Sequence, residues 1–356
     1  GTGYTLKATS GTLTAATSGE FNITAGEAAK LAFGVQPTDT TAGATITPAV
    51  TIEVRDNWNN VCTNDNSTSV AIAINNNPGG GTLSGTTPQT ASSGIATFND
   101  LSIDKIGTGY TLKATSGTLT AATSEEFNIT AGAASQVVMT PETDTTHVAG
   151  QTITFTAELQ DNAGNHVDFT NAADVTFSGG TGSWGSNALI GDGTITNDYT
   201  TSTTVVTDEV LTVTENIDLP SGVNTDTSTI TTIAGEAAKL AFDQQPTNTA
   251  AGAAITPAVT VKILDGNDNL VTTATDEVSI DIDTNPGGGT LSGTTPQTAE
   301  NGIATFNDLS IDKIGTGYTL KATSGTLTAA TSEEFNITAG EAAKLAFDQQ
   351  PTNTAA

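Results

Sequence analysis

A long internal repeat constrains this chain more than any other feature of its sequence. Residues 1–42 return, with five substitutions, as residues 315–356. The run that begins at Gly1 also begins again at Gly107. Strong self-similarity at a fixed spacing is typical of a tandem array of small domains and not of one large globule. The repeat therefore predicts the architecture before any single residue is considered.

Two marker sequences divide the repeat into units. Glu-Phe-Asn-Ile-Thr-Ala-Gly closes a unit, and Glu-Ala-Ala-Lys-Leu-Ala-Phe, or a diverged relative of it, opens the next. We predict complete domains over 27–132, 133–235 and 236–340, the C-terminal strands of an incomplete domain in 1–26, and the first strand of another in 341–356. Units of about 100 residues are large enough for one core each. The unfinished ends predict that the chain is one window on a longer array.

Alternation of apolar and polar residues indicates β-strands throughout. Tyr110, Leu112 and Ala114 share one predicted face, and Phe127 and Ile129 share another. Clusters of Gly, Asn and Asp separate these runs, as they do at tight turns, and no segment has a sustained apolar period of 3.6 residues. The pattern predicts an all-β chain of sandwiches in a linear array, and the very short linkers predict a stiff or semi-stiff rod.

The charge of the chain is strongly acidic. It carries 10 basic against 38 acidic residues, for a net charge of −28, and residues 133–235 contain no Lys or Arg. Binding to nucleic acid requires clustered basic residues that displace counterions, and anionic membrane surfaces attract the same residues. We therefore expect no nucleic-acid partner and no membrane insertion in this segment.

The residue inventory also disfavours catalysis. Neither 27–132 nor 236–340 contains a His, and the single cysteine, Cys62, has no base to activate it. His147 and His166 both lie in the diverged unit, without the short ligand spacing of a zinc site. The sequence predicts a protein that is not an enzyme.

Calcium is the one metal with an argument in its favour. Carboxylate and amide oxygens crowd into the turns at 161–168 and 265–269, and hard oxygen ligands of this kind suit Ca²⁺. Asp161, Asp168, Asp265 and Asp268 are the candidate ligands. No complete calcium-loop motif is present, and the same residues also suit an ordinary tight turn. Two interpretations of these residues therefore stay open: calcium binding at the turns or at domain junctions, and an ordinary tight turn.

The order of motifs in each unit carries a family resemblance. Ala-Ala-Lys-Leu-Ala-Phe, Ile-Thr-Pro-Ala-Val-Thr, Gly-Thr-Leu-Ser-Gly, Ile-Ala-Thr-Phe-Asn-Asp-Leu-Ser-Ile and Gly-Thr-Gly-Tyr-Thr-Leu follow one another in 27–132 and again in 236–340. This order resembles the tandem bacterial Ig-like domains of invasin- and intimin-like adhesins and of very long surface proteins. The resemblance implies Ig-like sandwiches on the cell surface or outside the cell, most of them spacers.

These observations lead to one main functional hypothesis and one alternative. The main hypothesis is a structural repeat segment of an extracellular filament or cell-surface stalk, whose partners are copies of itself or neighbouring repeats. The alternative is an adhesin in which the diverged domain 133–235 binds a cell-surface or glycan ligand. Trp184, in a Gly-rich setting, is the residue there that would suit a sugar or a neighbouring array, although loop packing is its default role.

Overall fold

The structure is a computed structural model that describes residues 1–142, 145–217, 219, 224–342 and 344–352, and within them it shows a hairpin followed by three β-sandwiches. In the hairpin, β1 (Lys7–Ala8) pairs antiparallel with β2 (Ala16–Thr17). A bridge between Tyr4 and Phe21 extends this pairing. We call residues 1–26 the N-terminal hairpin.

Sandwich 1 packs a three-stranded sheet of order β3-β5-β9 against a sheet of order β4-β13-β11-β6-β8. A small β7-β10 pair and strand β12, beside β11, complete it. Its strands are β3 (Lys30–Val35), β4 (Thr40–Thr41), β5 (Val50–Arg55), β6 (Ser69–Asn76), β7 (Leu83–Ser84), β8 (Gln89–Thr90), β9 (Ile95–Phe98), β10 (Ser102–Ile103), β11 (Gly107–Thr115), β12 (Ala122–Thr123) and β13 (Phe127–Thr130).

Sandwich 2 has two larger sheets, of order β14-β16-β21-β19 and β15-β23-β22-β18. Strand β17 pairs with β16, strand β20 pairs with β21, and a short 3-10 helix spans Ala172–Asp174. Its strands are β14 (Gln136–Thr140), β15 (Thr145–Val148), β16 (Thr152–Gln160), β17 (His166–Val167), β18 (Val175–Gly179), β19 (Ser183–Trp184), β20 (Ala188–Leu189), β21 (Ile195–Thr200), β22 (Val206–Glu215) and β23 (Thr225–Ile233).

Sandwich 3 repeats the topology of sandwich 1. Its sheets have the orders β24-β26-β30, β25-β34-β32-β27-β29 and β28-β31, with β33 beside β32. Its strands are β24 (Lys239–Gln244), β25 (Thr249–Ala250), β26 (Val259–Leu264), β27 (Glu277–Thr284), β28 (Leu291–Ser292), β29 (Gln297–Thr298), β30 (Ile303–Phe306), β31 (Ser310–Ile311), β32 (Gly315–Thr323), β33 (Ala330–Thr331) and β34 (Phe335–Thr338).

Each sandwich has its own hydrophobic core because the alternating residues of its facing strands point inward. In sandwich 1, Ile52 and Leu112 from opposite sheets are fully buried in one cluster, and Val261 and Leu320 hold the matching places in sandwich 3. Sandwich 2 has a separate cluster around Phe155. A short parallel pair closes each unit by joining an early strand to the last one: β4 to β13, β15 to β23, and β25 to β34.

The prediction of an all-β chain of tandem sandwiches is confirmed. Alternation identified the core face correctly, since Tyr110, Leu112 and Ala114 are fully buried and Phe127 and Ile129 nearly so. Among the described residues, no helix has the length and apolar character needed to cross a membrane.

Candidate functional site at the domain junctions

Each sandwich contains one turn in which Asp and Asn are four residues apart. The turns are Asp56–Asn60 after β5, Asp161–Asn165 between β16 and β17, and Asp265–Asn269 after β26. Residue four of each turn lies in the left-handed region, with φ near 70° at Asn59, Gly164 and Asp268. Gly, Asn and Asp are the residue types that adopt this conformation most readily, so the sequence favours the same turn in all three units.

The carboxylate of Asp161 is the hub of the second turn. Its Oδ1 accepts hydrogen bonds from the backbone N–H groups of Ala163 and Asn165, both at 2.9 Å. Its Oδ2 accepts from the backbone N–H of Gly132, in the linker, at 2.9 Å. The side-chain amide of Asn165 donates to the same carboxylate at 3.1 Å. One buried side chain therefore joins the turn to the linker that enters the sandwich.

Asp265 and Asp56 make the same set of contacts in their own units. Asp265 accepts from the linker N–H of Gly235 at 2.8 Å and from the Asn269 amide at 2.9 Å. Asp56 accepts from Gly26 N–H and from the Asn60 amide, both at 2.9 Å. The Ala-Gly dipeptide before each unit is thus held by the Asp that follows about thirty residues later.

These hydrogen bonds keep the three carboxyl groups ionised. The Asn60 amide and several backbone N–H groups outweigh burial and lower the pKa of Asp56 to about 2. Burial raises the pKa of Asp161 and of Asp265, but hydrogen bonds to each carboxylate outweigh it and the net pKa is lowered. The charged form is therefore the one that the folded turns stabilise.

The Asn of the turn reaches across the junction into the preceding sandwich. Asn165 Nδ2 donates to the carbonyl oxygen of Asp104 at 2.9 Å, and Asn165 Oδ1 accepts from the backbone N–H of Ile106 at 3.3 Å. One side-chain amide thereby pairs with a carbonyl and an N–H two residues apart, as a neighbouring strand would. We call this pair of contacts the amide bracket.

The second junction contains the same amide bracket on a different loop. Asn269 Nδ2 donates to the carbonyl oxygen of Thr203 at 2.8 Å, and Asn269 Oδ1 accepts from the backbone N–H of Val205 at 3.2 Å. Asn165 and Asn269 are only 4% and 9% exposed, so both brackets are shielded from water. Because the contacts are made to main-chain atoms, the bracket forms with loops of different sequence. The bracketed loop is Asp-Lys-Ile at the first junction and Thr-Thr-Val at the second.

Side-chain contacts differ between the junctions. At the first, Lys105 Nζ donates to the carbonyl oxygen of Ala163 at 2.8 Å. At the second, Asn267 Nδ2 lies 3.3 Å from the carbonyl oxygen of Ala149. Each junction therefore adds its own contact to a shared main-chain contact.

Among the described residues, both halves of this junction also occur without a neighbouring sandwich. Asn60 is exposed, and within the described residues its side chain bonds only to Asp56. At the other end, the loop Asp312–Ile314 matches Asp104–Ile106, and Ile314 is 60% exposed whereas Ile106 is 36% exposed. The difference in exposure is the effect of the neighbouring sandwich.

The structure does not bring the four predicted calcium ligands together as one group. Asp161 and Asp265 are the turn hubs, where N–H donors occupy their oxygens. Asp168 is largely exposed and lies 3.0 Å from His166 Nε2, and Asp268 pairs with Lys239 Nζ at 2.9 Å. Over the described ranges, no three Asp, Glu, His or Cys side chains form a grouping that suits a metal ion. Calcium binding by these residues stays a prediction.

Sequence reasoning recognised these turns but missed the bracketing role of Asn165 and Asn269. The signal was available: an Asp and an Asn four residues apart in every unit, each preceded by Ala-Gly at the linker. What the sequence did not show is that the amide points at the neighbouring sandwich.

Trp184 lies in sandwich 2, where strands β18 and β19 form adjacent edges of the two sheets. Its ring centroid is 5.6 Å from that of Phe155, 5.2 Å from that of Phe177 and 4.8 Å from that of Tyr199. It forms part of the wall of an open groove of about 540 Å³ that Asn187 and Asn197 also line. The indole therefore caps the core and borders a surface groove.

Comparison with known proteins gives similarity in structure only. No protein-family model matches the chain, and no curated protein matches it. Among solved structures it is similar to the Escherichia coli adhesin FdeC, with 18% identity over 87% of this chain and 99% of that one, at a TM-score of 0.37.

Two further neighbours are, by their printed names, an integrin-binding protein and a surface-layer protein. Invasin, described as a bacterial integrin-binding protein, is 17% identical over 86% of this chain and 60% of that one, at a TM-score of 0.34. The surface-layer protein SbsC, domains 4–9, is 18% identical over 88% of this chain and 48% of that one, at a TM-score of 0.27. At these values the likeness carries no argument about a ligand or partner.

Proposed function

We propose that this chain is a structural segment of an extracellular filament or cell-surface stalk. Its task is to hold successive sandwiches in a fixed relation. The observation that carries the proposal is the amide bracket, which recurs at both junctions although the bracketed loops share no sequence. A recurring main-chain contact at each junction is what a chain of spacers needs in order to resist bending.

The linker geometry supports the same proposal. Gly132 and Gly235 each donate a hydrogen bond to the Asp of the following turn, so the linker is bonded to the next sandwich and does not swing freely. A flexible linker would leave these backbone groups to water. The partners implied are neighbouring repeats of the same array.

The acidic surface fits a protein that is exposed outside the cell. A net charge of −28 favours solubility and disfavours adhesion between parallel copies at low ionic strength. Repulsion between like charges would also extend the chain. Its effect on chain extension therefore has to be distinguished by experiment from that of the brackets.

Small-angle X-ray scattering of the full chain at low and high salt makes this separation. Salt screens charges more than about 10 Å apart but leaves buried hydrogen bonds in place. We expect a rod-like scattering profile that is unchanged at high salt and that becomes flexible in the double variant Asn165→Ala, Asn269→Ala. A chain that becomes compact at high salt would overturn the proposal. So would a double variant whose scattering profile is the same as that of the parent.

The groove beside Trp184 supports a second candidate function, glycan binding by domain 133–235. The observation in its favour is an aromatic ring beside the buried amide of Asn197, because sugars stack on aromatic faces and bond to amides. Asn197 is 5% exposed, and its Oδ1 has no hydrogen-bond partner among the described residues. The absence of Lys and Arg from 133–235 favours an uncharged saccharide.

A glycan array probed with the full chain tests this second candidate. Binding that Trp184→Ala abolishes and Trp58→Ala preserves would support it, since Trp58 is an exposed tryptophan in sandwich 1. Circular dichroism of both variants checks that the folds are intact. Absence of binding, or equal loss in the two variants, would contradict it.

A further inference from the structure

The sheet of order β15-β23-β22-β18 in sandwich 2 turns one side to the core and the other to solvent. Residues alternate between these two sides along each strand. The solvent side carries the odd-numbered residues of β23 and the even-numbered residues of β15, of β18 and of the segment 210–214 in β22. Nine of these twelve residues are Thr or Ser, and the other three are aliphatic. We call this side of the sheet the hydroxyl face.

The hydroxyl face carries no charged side chain, although the net charge of the chain is −28. Asp208, in the bulge of β22, is the one exposed acidic residue of the four strands, and it lies outside the alternation that forms the face. Other sheets carry charges on their solvent sides, among them Asp198 in sandwich 2, Lys113 in sandwich 1 and Lys321 in sandwich 3. A strongly acidic protein therefore has an extended side from which charge is missing.

The register of the strands aligns hydroxyl side chains in rows across the face. One row is Thr176, Thr214 and Thr225, and the next is Ser178, Thr212 and Thr227. A hydroxyl group both donates and accepts hydrogen bonds. An array of hydroxyls can therefore be matched by an identical array in a two-fold contact, whereas an array of carboxylates repels its own copy.

The three aliphatic side chains add an apolar contribution to the face. Val148 is 42% exposed, Val210 53% and Ile233 44%. Val148 lies opposite Ile233 at one end of the sheet, and Val210 lies opposite Thr229 on the central pair of strands. Covering these side chains removes apolar area from water, which favours association.

The shape of the face suits another β-sheet. Sheets twist with a fixed hand, and two sheets of the same twist pack face to face at about −30°. With strands about 4.8 Å apart and a rise of about 3.4 Å per residue, the face covers roughly 400–500 Å². Two copies would bury about 800–1,000 Å² together, which is less than a standard stable interface and typical of a weak, reversible contact.

We propose that the hydroxyl face pairs with the same face of a second copy of this chain, so that two chains lie side by side. The inference goes beyond the proposed stalk function, because it concerns contact between chains and not between successive sandwiches. Each chain uses the same surface in this contact, so the pair is closed and two-fold symmetric.

The charge on the rest of the chain opposes the pairing and makes it depend on salt. The Debye length is about 30 Å at 0.01 M salt and about 3 Å at 1 M. Repulsion between two acidic chains is therefore strong at low salt and largely screened at high salt, whereas an uncharged contact has no ion pair for salt to weaken. Pairing strengthens as salt is raised, which is the reverse of a contact built on opposite charges.

Sedimentation equilibrium of the full chain at about 10–500 µM tests the pairing, since this range covers weak contacts. We expect a monomer–dimer equilibrium whose dissociation constant is at least about tenfold lower at 1 M salt than at 0.01 M. No species larger than the dimer should form, because a two-fold contact uses up the face. A chain that stays monomeric at 1 M salt, or that forms an open ladder of oligomers, would overturn the proposal.

Two substitutions that each place a carboxylate on sandwich 2 make the test specific. Val210→Glu puts like charges opposite each other in the pair and should raise the dissociation constant about tenfold or more. Leu189→Glu is the matched control, because Leu189 is also an exposed aliphatic residue but lies in β20, on the other sheet. It should leave pairing unchanged. Circular dichroism checks that both variants are folded, and equal effects of the two substitutions would count against the hydroxyl face.

Nuclear magnetic resonance locates the contact without any substitution. At 1 M salt the amide resonances of Val210 and Thr229 should shift as the chain concentration is raised, whereas that of Asp198, on the other sheet, should not. Shifts of equal size on both sheets, or confined to the other sheet, would contradict the proposal. The scattering test of junction rigidity, made at concentrations below those that favour pairing, is independent of this outcome.

Discussion

The two junctions of this chain resemble each other in their main-chain contacts and differ in their side-chain contacts. At both, an Asn amide brackets the carbonyl and N–H of a loop in the preceding sandwich. Only the first has the bond from Lys105, and only the second has the contact from Asn267. The comparison teaches that the orientation of one sandwich on the next depends on backbone geometry, which survives divergence of the loop sequence.

The turn at Asp56–Asn60 provides an internal control for this comparison. It has the same hub and the same turn conformation, but within the part of the chain that the structure describes the Asn60 side chain bonds only to Asp56. A substitution in this turn measures the local cost, and the same substitution at 161–165 or 265–269 measures the local cost plus the junction.

Loss of the hub should have the largest effect. Asp161→Ala leaves the N–H groups of Gly132, Ala163 and Asn165 without their acceptor, and unsatisfied buried groups cost about 1–3 kcal/mol each before relaxation. We expect sandwich 2 to lose about 2–4 kcal/mol of its free energy of unfolding. Urea unfolding followed by Trp184 fluorescence, in a Trp58→Phe background, reports on sandwich 2 alone.

A loss below about 0.5 kcal/mol, the usual range for surface substitutions, would contradict this role for Asp161. Asp168→Ala is the matched control, because that carboxylate is in the same sandwich and largely exposed. It should change the free energy of unfolding little.

Loss of the bracket, together with the bonds from the Asn165 amide to Asp161, should have the next largest effect. Asn165→Ala removes two hydrogen bonds across the junction, each with a net contribution of about 0.5–1.5 kcal/mol. The Ile106 amide hydrogen should then exchange with solvent about tenfold faster, whereas Asn60→Ala should not change its exchange. Hydrogen exchange followed by nuclear magnetic resonance measures this, with the Ile314 amide as the unbracketed reference. Unchanged protection of Ile106 in Asn165→Ala would contradict the bracket.

Acid should weaken both junctions together. The pKa values of Asp161 and Asp265 are lowered in the folded chain, so the folded state binds fewer protons than the unfolded state as pH falls. The stabilisation is present above the ordinary Asp pKa of about 4 and is lost as pH falls below it. Urea unfolding between pH 7 and pH 2 checks this, and Asp161→Asn should reduce the dependence. A flat profile in the parent chain would contradict the ionised hub.

Removal of a side-chain contact should affect one junction only. Lys105→Met keeps the aliphatic stem but removes the bond to Ala163, and we expect a loss of about 0.5–1 kcal/mol in the stability of the first junction. Lys313→Met is the matched control, because Lys313 occupies the same position in sandwich 3 and no bond from its Nζ to another sandwich occurs among the described residues. Faster exchange at Ile106 but not at Val205 is the expected readout, and equal effects of the two substitutions would count against the contact.

Calcium should have the smallest effect of those predicted here, if it binds at these turns. The oxygens of Asp161 and Asp265 already accept N–H donors, so Ca²⁺ has to recruit exposed groups such as Asp168 or Asp268. A higher melting temperature in Ca²⁺ than in chelator, lost in Asp168→Ala or Asp268→Ala, would support the prediction. A melting curve that chelator leaves unchanged would contradict it.

Much of the fold was predictable from local pattern. Repetition predicted tandem units, and alternation placed Tyr110 and Leu112 in the core, because a strand exposes one face and buries the other. The junctions were less predictable, since a sequence shows that Asp161 and Asn165 carry oxygens but not whether N–H donors or a metal ion lie opposite them. Trp184 shows the same limit: its Gly-rich setting indicated a loop, yet it lies in a short strand against three aromatic rings.

We expect the brackets to fix one sandwich relative to the next. Pulsed electron resonance between spin labels at Lys113→Cys and Lys321→Cys, both exposed strand positions, in a Cys62→Ala background, tests it directly. We expect one narrow distance distribution in the parent and in Asn60→Ala, and a broad one in the double variant Asn165→Ala, Asn269→Ala. A broad distribution in the parent, or a narrow one in the double variant, would contradict it.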